Sequence, residues 1–262
     1  MSTDASAATM TRDLSDDALA AYARTGWTAA LGFFSAAEAA EIVAWTNEVC
    51  ALPERSGAQM VYREPSLLDP QAKVIQRIED FCPHHAGFDA LIRGGRLQAA
   101  VEQLLGGPAV LFKEKINFKM AGGAGFEAHQ DQQAGWSTYA PLFVTALVSI
   151  DPATIANGCL EMATSERKTG LIGREWAPLT PEEMAGFDLV PVPTAPGDVL
   201  FFDSYAPHAS KPNLTRDQRR ILYLTYNLAS DGDHRARYYA DKRANFPPDI
   251  DRLPGTDYTF RV

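Results

Sequence analysis

The sequence predicts a mainly β protein with flanking helices, in which an N-terminal helical lobe packs on a double-stranded β-helix, or jelly-roll, core. Up to about residue 107, apolar residues recur mostly with the period of an α-helix. From about 108 to 228 they fall instead in short runs that turn signals separate. The change of period follows Gly106-Gly107-Pro108, which ends the last helical segment. Helices followed by many short strands are typical of a helical layer on a β-sandwich.

The N-terminal region carries clear helix boundaries. A short helix is predicted over residues 16–24, before Gly26. Ser35 and Glu38 form a capping box, and the helix that they open should reach about residue 50. Residues 54–70 are expected to form a loop and residues 73–81 a strand. Residues 87–105 have helical periodicity with an interruption at Gly94-Gly95.

The core region is predicted as a series of short strands, over residues 109–120, 143–150, 159–162, 189–192, 198–202 and 219–227. Thr180-Pro181 indicates a short helix, and residues 233–243 a terminal one. We therefore expect a disordered tail over residues 1–12 and a single domain over 13–262. Within it, the helical lobe covers about 13–107, the jelly-roll core about 108–228, and a C-terminal helix and tail 229–262.

Composition limits the possible partners and compartment. The chain of 262 residues has a formal net charge of -9, which repels phosphate backbones and argues against nucleic acid. It contains no apolar run of the roughly 20 residues that span a bilayer, and its polar N-terminus does not resemble a secretory signal. Three widely spaced cysteines indicate neither a disulfide framework nor a zinc site. We expect a cytoplasmic enzyme without membrane association, and the sequence does not predict its oligomeric state.

The most informative motif is His129-Gln130-Asp131, followed at a distance by His208. Side chains two residues apart on an extended strand leave the same face, so His129 and Asp131 can reach one metal. His208 follows a predicted buried strand that ends in a turn at Ala206-Pro207. Two histidines and a carboxylate on one face of an octahedron form a typical Fe(II) site with open positions. The sequence therefore predicts a metal centre at His129, Asp131 and His208.

Arg219 begins a predicted strand eleven positions after His208. Its planar guanidinium suits a carboxylate, which it can bind through two parallel hydrogen bonds. We expect Arg219 to anchor an anion near the metal. Its neighbour Arg220 points the opposite way on a strand and is expected to be a surface charge.

These motifs resemble the phytanoyl-CoA dioxygenase family of Fe(II)- and 2-oxoglutarate-dependent oxygenases. The resemblance covers roughly residues 12–245 and rests on His129-Gln-Asp131, Asn157-Gly-Cys-Leu160, Gly197-Asp-Val199, His208 and Arg219. It implies Fe(II) held by His129, Asp131 and His208, with 2-oxoglutarate and O2 as co-substrates and Arg219 on the far carboxylate of 2-oxoglutarate. Further contacts to 2-oxoglutarate are expected from Lys115, Asn117, Gln130 and Ser210.

The same resemblance implies hydroxylation of an unactivated C–H bond, with release of succinate and CO2. Halogenases of the wider superfamily have Gly or Ala in place of the carboxylate ligand, whereas Asp131 is present here. Two alternatives remain open, a non-redox metal-binding jelly-roll protein of the cupin type and an oxygenase acting on a lipid or polyketide intermediate. Arg219 argues against the first, since such proteins need no second anion anchor.

The substrate is less well defined by the sequence. Cationic and aromatic residues near the predicted site favour a small anionic or zwitterionic metabolite, possibly resembling an amino acid or an aminophosphonate. The candidate substrate residues are Arg77, Lys113, Gln133, Trp136, Tyr139 and Tyr226. The basic residues of the terminal helix, Arg235, Arg237, Lys242 and Arg243, are expected to form a solvated face.

Overall fold

The computed structural model of the protein describes residues 14–258, so the predicted tail over residues 1–12 lies outside the described residues. The helices are α1 (Asp16–Thr25), α2 (Ala36–Ala51), α3 (Ala86–Ile92), α4 (Gly95–Leu105) and α5 (Arg235–Asn245). The strands are β1 (Trp27–Ala30), β2 (Met60–Pro65), β3 (Lys73–Glu79), β4 (Ala109–Lys119), β5 (Phe126–His129), β6 (Val144–Ser149), β7 (Leu160–Ala163), β8 (Leu189–Val192), β9 (Val199–Asp203), β10 (His208–Ser210) and β11 (Arg219–Leu228). Among residues 14–258, no helix is long and apolar enough to cross a bilayer.

The strands form two antiparallel sheets that pack against each other. The major sheet has seven strands in the order β1-β9-β6-β11-β4-β3-β2, and the minor sheet has four in the order β5-β10-β7-β8. Apolar side chains of both sheets meet between them, including Leu147 and Phe202 of the major sheet and Leu160 and Met162 of the minor sheet. This mainly β, antiparallel architecture agrees with the predicted fold class.

Alternation along β11 explains how the major sheet is covered on both faces. Leu222 and Leu224 pack in the large apolar cluster that contains helical residues such as Phe88 and Val101. Their neighbours Ile221 and Tyr223 point to the other face, toward the minor sheet. A strand with both faces buried is apolar on both faces, which is why residues 219–228 lack the polar alternation of an exposed strand.

The N-terminal region differs from the expected helical lobe. Its strands β1, β2 and β3 all belong to the major sheet, so a separate lobe is not confirmed. Strand β2 lies inside residues 54–70, for which a loop was expected. The side chains of Thr180 and Glu183 each accept a hydrogen bond from the other's backbone amide, but the chain beyond them forms turns and not the predicted short helix.

The terminal helix α5 is attached to the major sheet through buried charges. Arg235 bonds to Glu114 of β4 and lies 2.8 Å from Asp80, and Lys242 lies 2.6 Å from Glu79 of β3. The expectation of a solvated basic face on this helix is therefore wrong for its buried members. Arg237 does match it, with a side chain that is 55% exposed.

Arg220 also differs from its expected place at the surface. Its Nε and Nη2 donate to the Asp151 carboxylate, each at 2.8 Å, and its Nη1 donates to Asn47 at 2.7 Å. The surface assignment was wrong because a residue on the opposite face of β11 from Arg219 still lies under a helix, here α2, which carries Asn47.

Replacing Arg235 by methionine should destabilise the fold by about 3–5 kcal/mol, because it leaves the buried Glu114 carboxylate without its cation. Glu114 is 0% exposed and its partner Arg235 10%. The matched control is Arg237→Met on the same helix, whose exposed charge should change stability by no more than about 0.5 kcal/mol. Equilibrium urea unfolding measures both. Equal stability of the two variants would show that the Arg235 ion pairs do not hold α5 to the sheet.

Candidate metal centre and active site

The two predicted histidine ligands lie side by side on neighbouring strands of the minor sheet. His208 of β10 pairs directly with His129 of β5, and their ring centroids are 4.3 Å apart. The strands approach closely at Gly125, where a Cβ atom would stand 2.5 Å from the Ser210 carbonyl oxygen. Both imidazoles are buried, and they face the space between the sheets.

Asp131 completes the group, although not on an extended strand as expected. Strand β5 ends at His129, and Asp131 begins a short 3-10 turn, Asp131–Ala134. The turn still brings the carboxylate to the histidines, and the three ligand atoms all lie within 4.8 Å of one another. The turn that follows His129 therefore brings Asp131 to the metal centre, as a continuous strand was expected to do.

Gln130 holds this turn in place. Its side-chain amide donates to the carbonyls of Gly170 and Tyr205, at 3.1 and 2.7 Å, and its side-chain oxygen accepts from the Ile172 amide at 2.7 Å. All of these partners are backbone groups. Gln130 is thus a structural support between the two ligands, and the structure gives it no place among the residues that line the cavity.

Hydrogen bonds orient both histidines for metal binding. His129 Nδ1 lies 2.7 Å from the Glu127 carbonyl oxygen, and His208 Nδ1 lies 3.0 Å from that of Ala206. A carbonyl only accepts, so each Nδ1 carries the proton and each Nε2 presents its lone pair to the centre. Burial and the neighbouring His208 lower the pKa of His129 to about 3, which keeps its ring neutral.

The charge state of the group suits a divalent cation. Burial opposes ionisation of Asp131, but the interactions with the neighbouring His208 ring and the Lys115 ammonium outweigh it and lower the pKa of the carboxyl. The centre then consists of two neutral imidazoles and one carboxylate on one side. This is the facial set that holds Fe(II) with the remaining positions open. The residues present therefore fit the metal that the sequence predicts.

Arg219 lies next to Tyr223, which lines the cavity of the metal ligands, and it has unsatisfied hydrogen-bonding capacity. It is 1% exposed, and within the described residues its Nε and Nη1 have no hydrogen-bond partner. Its guanidinium also contacts Tyr223, four residues along the same face of β11. Buried donors left without acceptors are costly, so this guanidinium is suited to binding an anion. The carboxylate of 2-oxoglutarate fits it.

Polar groups between Arg219 and the metal ligands line the same cavity. Lys115, Asn117, Ser210 and Tyr223 all belong to its wall. In the part of the chain that the structure describes, the Asn117 side-chain oxygen is buried and has no hydrogen-bond partner. The predicted 2-oxoglutarate contacts Lys115, Asn117 and Ser210 thus line one cavity with Tyr223, and Tyr223 connects this wall to Arg219. Tyr223 lies four residues after Arg219 on the same face of β11, and this spacing could have identified it from the sequence.

Lys119 supports this part of the site from behind. Its ammonium donates to the Ser210 hydroxyl at 2.7 Å and to the Gly158 carbonyl at 3.3 Å, and it also contacts the Lys211 carbonyl. Burial and the nearby charge of Arg219 lower its pKa to about 6. Lys119 therefore fixes the end of β10, which carries His208 and Ser210.

The cavity wall continues from the metal ligands to a group of buried cations. Arg77, Lys113 and Lys242 all line it, next to Trp136. The Lys113 ammonium lies 4.5 Å from the centre of the Trp136 ring. Arg77 and Lys113 were predicted, but Lys242 was missed. Nothing in the local sequence of α5 distinguishes a lysine that points into the cavity from the solvated basic residues near it.

Three other candidate substrate residues do not line this cavity. Gln133 donates to the carbonyls of Arg174 and Ala177, and Tyr226 donates to the Ile92 carbonyl on the helical side of the sheet. Tyr139 lines an adjoining cavity, which shares Trp136 and Lys242 with the first. The structure therefore brings Arg77, Lys113 and Trp136 together with the metal ligands, and places Gln133 and Tyr226 in the packing.

The chain matches known proteins over most of its length. The family model described as Phytanoyl-CoA dioxygenase (PhyH) matches residues 22–221. The chain is 40% identical over 236 residues to a 2-aminoethylphosphonate dioxygenase from uncultured bacterium HF130_AEPn_1, covering 87% of each chain. It is 39% identical over 238 residues to a methylphosphonate hydroxylase from Gimesia maris, covering 90% of each.

Solved structures show the same fold at lower sequence identity. EctD from S. alaskensis, crystallised with 2-oxoglutarate and 5-hydroxyectoine, superposes with a TM-score of 0.66 at 22% identity and covers 83% of this chain and 77% of its own. The epimerase SnoN, in complex with Fe3+, alpha ketoglutarate and nogalamycin RO, gives a TM-score of 0.66 at 22% identity and covers 94% and 92%. On the evidence of the family model and of relatives aligned over most of its length, the chain belongs to the phytanoyl-CoA dioxygenase family.

Proposed function

We propose that the protein is an Fe(II)- and 2-oxoglutarate-dependent dioxygenase that hydroxylates a C–H bond of a small phosphonate. The observation that carries this proposal is the arrangement of one cavity. Its wall holds the facial ligand set His129, Asp131 and His208 together with the buried cations Arg77 and Lys113. The two relatives described above are named for phosphonates, and a buried cationic wall is what a phosphonate requires.

The cofactors supply the oxidising power. When bound, Fe(II) and 2-oxoglutarate allow one atom of O2 to enter succinate, with loss of CO2, and the other to enter the substrate C–H bond as a hydroxyl group. His129, Asp131 and His208 would hold the metal. Arg219 would bind the far carboxylate of 2-oxoglutarate through its planar fork, with Ser210 and Tyr223 beside it.

The chain's own contribution is positioning and shielding. Arg77 and Lys113 would fix the phosphonate group, so that the carbon attached to it faces the metal ligands. Trp136 is 2% exposed and forms part of the wall beside Lys113. Its indole excludes water from one side of the cavity.

The two alternatives are less well supported. A non-redox cupin-like protein needs no second anion anchor such as Arg219, whose buried Nε and Nη1 have no hydrogen-bond partner among the described residues. An oxygenase for a lipid or polyketide would need an apolar cavity, whereas this one is lined by four basic side chains, Arg77, Lys113, Lys115 and Lys242. A small anionic substrate accounts for these residues.

The proposal is tested by a succinate-release assay with Fe(II), 2-oxoglutarate and O2. The panel should contain alkylphosphonates and aminoalkylphosphonates, amino acids, and neutral lipid or polyketide fragments. We expect succinate above the substrate-free rate with at least one phosphonate, together with a hydroxylated product detected by mass spectrometry. Stimulation by neutral compounds and by no phosphonate would overturn the assignment of substrate class.

Lys113→Met should impair the use of that phosphonate and leave the cofactor sites intact. Methionine has a similar length but no charge, so one charge-assisted contact is lost, worth roughly 1.5–3 kcal/mol, or about ten- to a hundredfold in kcat/KM. Affinity for 2-oxoglutarate, measured by anaerobic titration, should stay close to that of the wild type. Unchanged kcat/KM would remove Lys113 from the substrate site, even if the phosphonate itself remains a substrate.

A further inference from the structure

A second cavity adjoins the one that contains the metal ligands. It shares Ala134, Trp136 and Lys242 with the first cavity and has a volume of about 200 Å³, compared with about 30 Å³ for the first. Because a water molecule needs about 10–15 Å³ of such space, the adjoining cavity has room for several non-hydrogen atoms and the first for very few. Most of the free volume near the proposed phosphonate site therefore lies in the adjoining cavity.

Aromatic side chains form much of the wall of the adjoining cavity. They are Trp136, Tyr139, Trp176, Tyr238 and Phe246. Such rings gain free energy by contact with the methylene groups of a ligand, because the contact removes apolar surface from water. The wall also includes the carboxylates of Glu175 and Asp241, which are compatible with an ammonium group at the end of a chain. The adjoining cavity is therefore suited to the organic part of a substrate.

Trp176, one of these wall residues, has a left-handed backbone conformation with a φ of 61°. This conformation is unfavourable for a bulky residue and persists where the surrounding contacts enforce it. Here the contacts come from Gln133, which lies in the turn that begins at Asp131. The Trp176 amide donates to the Gln133 carbonyl at 2.8 Å, and the Gln133 side chain donates to the carbonyls of Arg174 and Ala177, each at 2.8 Å. The turn with the metal ligand therefore fixes the position of Trp176.

The Trp176 side chain bridges this turn and the end of α5. Its ring stacks on that of Phe246, with centroids 5.9 Å apart and an angle of 26° between the planes. At Gly135 a Cβ atom would stand 2.5 Å from Trp176 Cζ2, so a glycine at this position leaves room for the indole. Trp176 is 43% exposed, which places the indole in the cavity wall and not in the core. A chain that extends from the first cavity through the adjoining one would meet this indole.

We propose that the adjoining cavity binds the organic substituent of the phosphonate, and that Trp176 is the specificity-determining residue that limits the length of this substituent. The inference rests on the proposed function and deepens it, since it narrows the substrate class to phosphonates with a chain beyond the carbon bonded to phosphorus. The anionic group would lie with Arg77 and Lys113, and the chain would pass Trp136 toward Trp176. Methylphosphonate has no such chain and would leave the adjoining cavity unfilled.

The test uses a series of unbranched alkylphosphonates from methyl to octyl, with 2-aminoethylphosphonate as a short chain that ends in a cation. Dissociation constants are measured by anaerobic titration of the Fe(II)- and 2-oxoglutarate-loaded protein, and kcat/KM is measured by succinate release. For the wild type we expect affinity to rise from methyl- to propylphosphonate by about fourfold for each methylene group buried. Affinity should then fall in the longer members, whose chains meet Trp176.

Trp176→Gly should shift the maximum of affinity to longer chains. Glycine adopts a φ of 61° without strain, and the backbone bond to Gln133 remains, so the loop keeps its place. Octylphosphonate should bind at least about tenfold more tightly than to the wild type, whereas the affinity for methylphosphonate should not change. Trp176→Phe, with a smaller ring, should give an intermediate profile. Leu171→Ala is the matched control, because Leu171 is a 37% exposed residue of the same loop that lines neither cavity, and it should keep the wild-type profile.

The outcomes separate this inference from the proposed function. Binding that depends on chain length, without succinate release from any phosphonate, contradicts the proposed function alone. Succinate release with phosphonates whose affinities do not depend on chain length overturns the role of the adjoining cavity. A wild-type profile in both Trp176 variants, or an equal change for all chain lengths, overturns the role of Trp176 in limiting the substituent. Failure of every phosphonate to bind contradicts both proposals.

Discussion

Replacing His129, Asp131 or His208 by alanine should abolish turnover and Fe(II) binding while the fold remains intact. The three ligand atoms lie within 4.8 Å of one another, and no other His, Cys, Asp or Glu cluster in the described part of the chain could take their place. A three-ligand site leaves no spare protein ligand when one is removed. All three side chains face the cavity, so their truncation removes little apolar packing.

The measurement is the charge-transfer absorbance that forms when Fe(II) and 2-oxoglutarate are added anaerobically, together with succinate release in air. His84→Ala is the matched control, since His84 is an exposed histidine in a different part of the chain. It should behave as the wild type in both assays. Wild-type absorbance in all three ligand variants would exclude this triad as the metal site.

Arg219→Lys should weaken 2-oxoglutarate binding about ten- to a hundredfold and change iron binding little. Lysine keeps the charge but loses the planar fork that binds a carboxylate through two bonds, a loss of roughly 1.5–3 kcal/mol. Lysine is also shorter than arginine. Its ammonium would therefore be less well placed to reach the carboxylate from this buried position, where Arg219 is 1% exposed.

Anaerobic titration of the iron-loaded protein with 2-oxoglutarate measures the effect directly. Arg216→Lys is the matched control, because Arg216 is an exposed arginine three residues earlier in the chain. An unchanged affinity in Arg219→Lys would move the anchor of the distal carboxylate to another cation of the cavity wall, with Lys115 as the first to test.

The elements with long periodic patterns could be predicted from the sequence. The capping box at Ser35 opens α2, and the alternation of residues 109–119 gives β4 with Lys115 and Asn117 on the cavity face. The metal ligands were predicted from the His129-Gln130-Asp131 motif and from His208 after a predicted buried strand, although β5 and β10 themselves were not predicted. Strand β2 was missed because its residues, 60–65, include Arg63, Glu64 and Pro65 and have no clear alternation.

Contacts between distant segments could not be read from local patterns. Lys242 reaches Glu79 across 163 positions, and Arg235 reaches Glu114 across 121. Basic residues spaced along a short helix are the usual pattern of a solvated face, and the sequence contains nothing that marks two of them as buried. The partner carboxylates lie on β3 and β4, so the pairing is decided by how α5 docks and not by its own composition.

Because α5 packs against the major sheet, the cavity is lined by two separate parts of the chain. His129, His208 and Arg219 lie on strands between residues 109 and 228 and Asp131 in the turn after β5, whereas the helix over 235–245 lines the cavity through Lys242. Under the proposed function, we therefore expect substitutions on this helix to change substrate choice and to leave the metal ligands in place. For enzyme engineering, substitutions confined to the inward face of this one helix offer a way to redirect the catalyst to new compounds without rebuilding its redox centre.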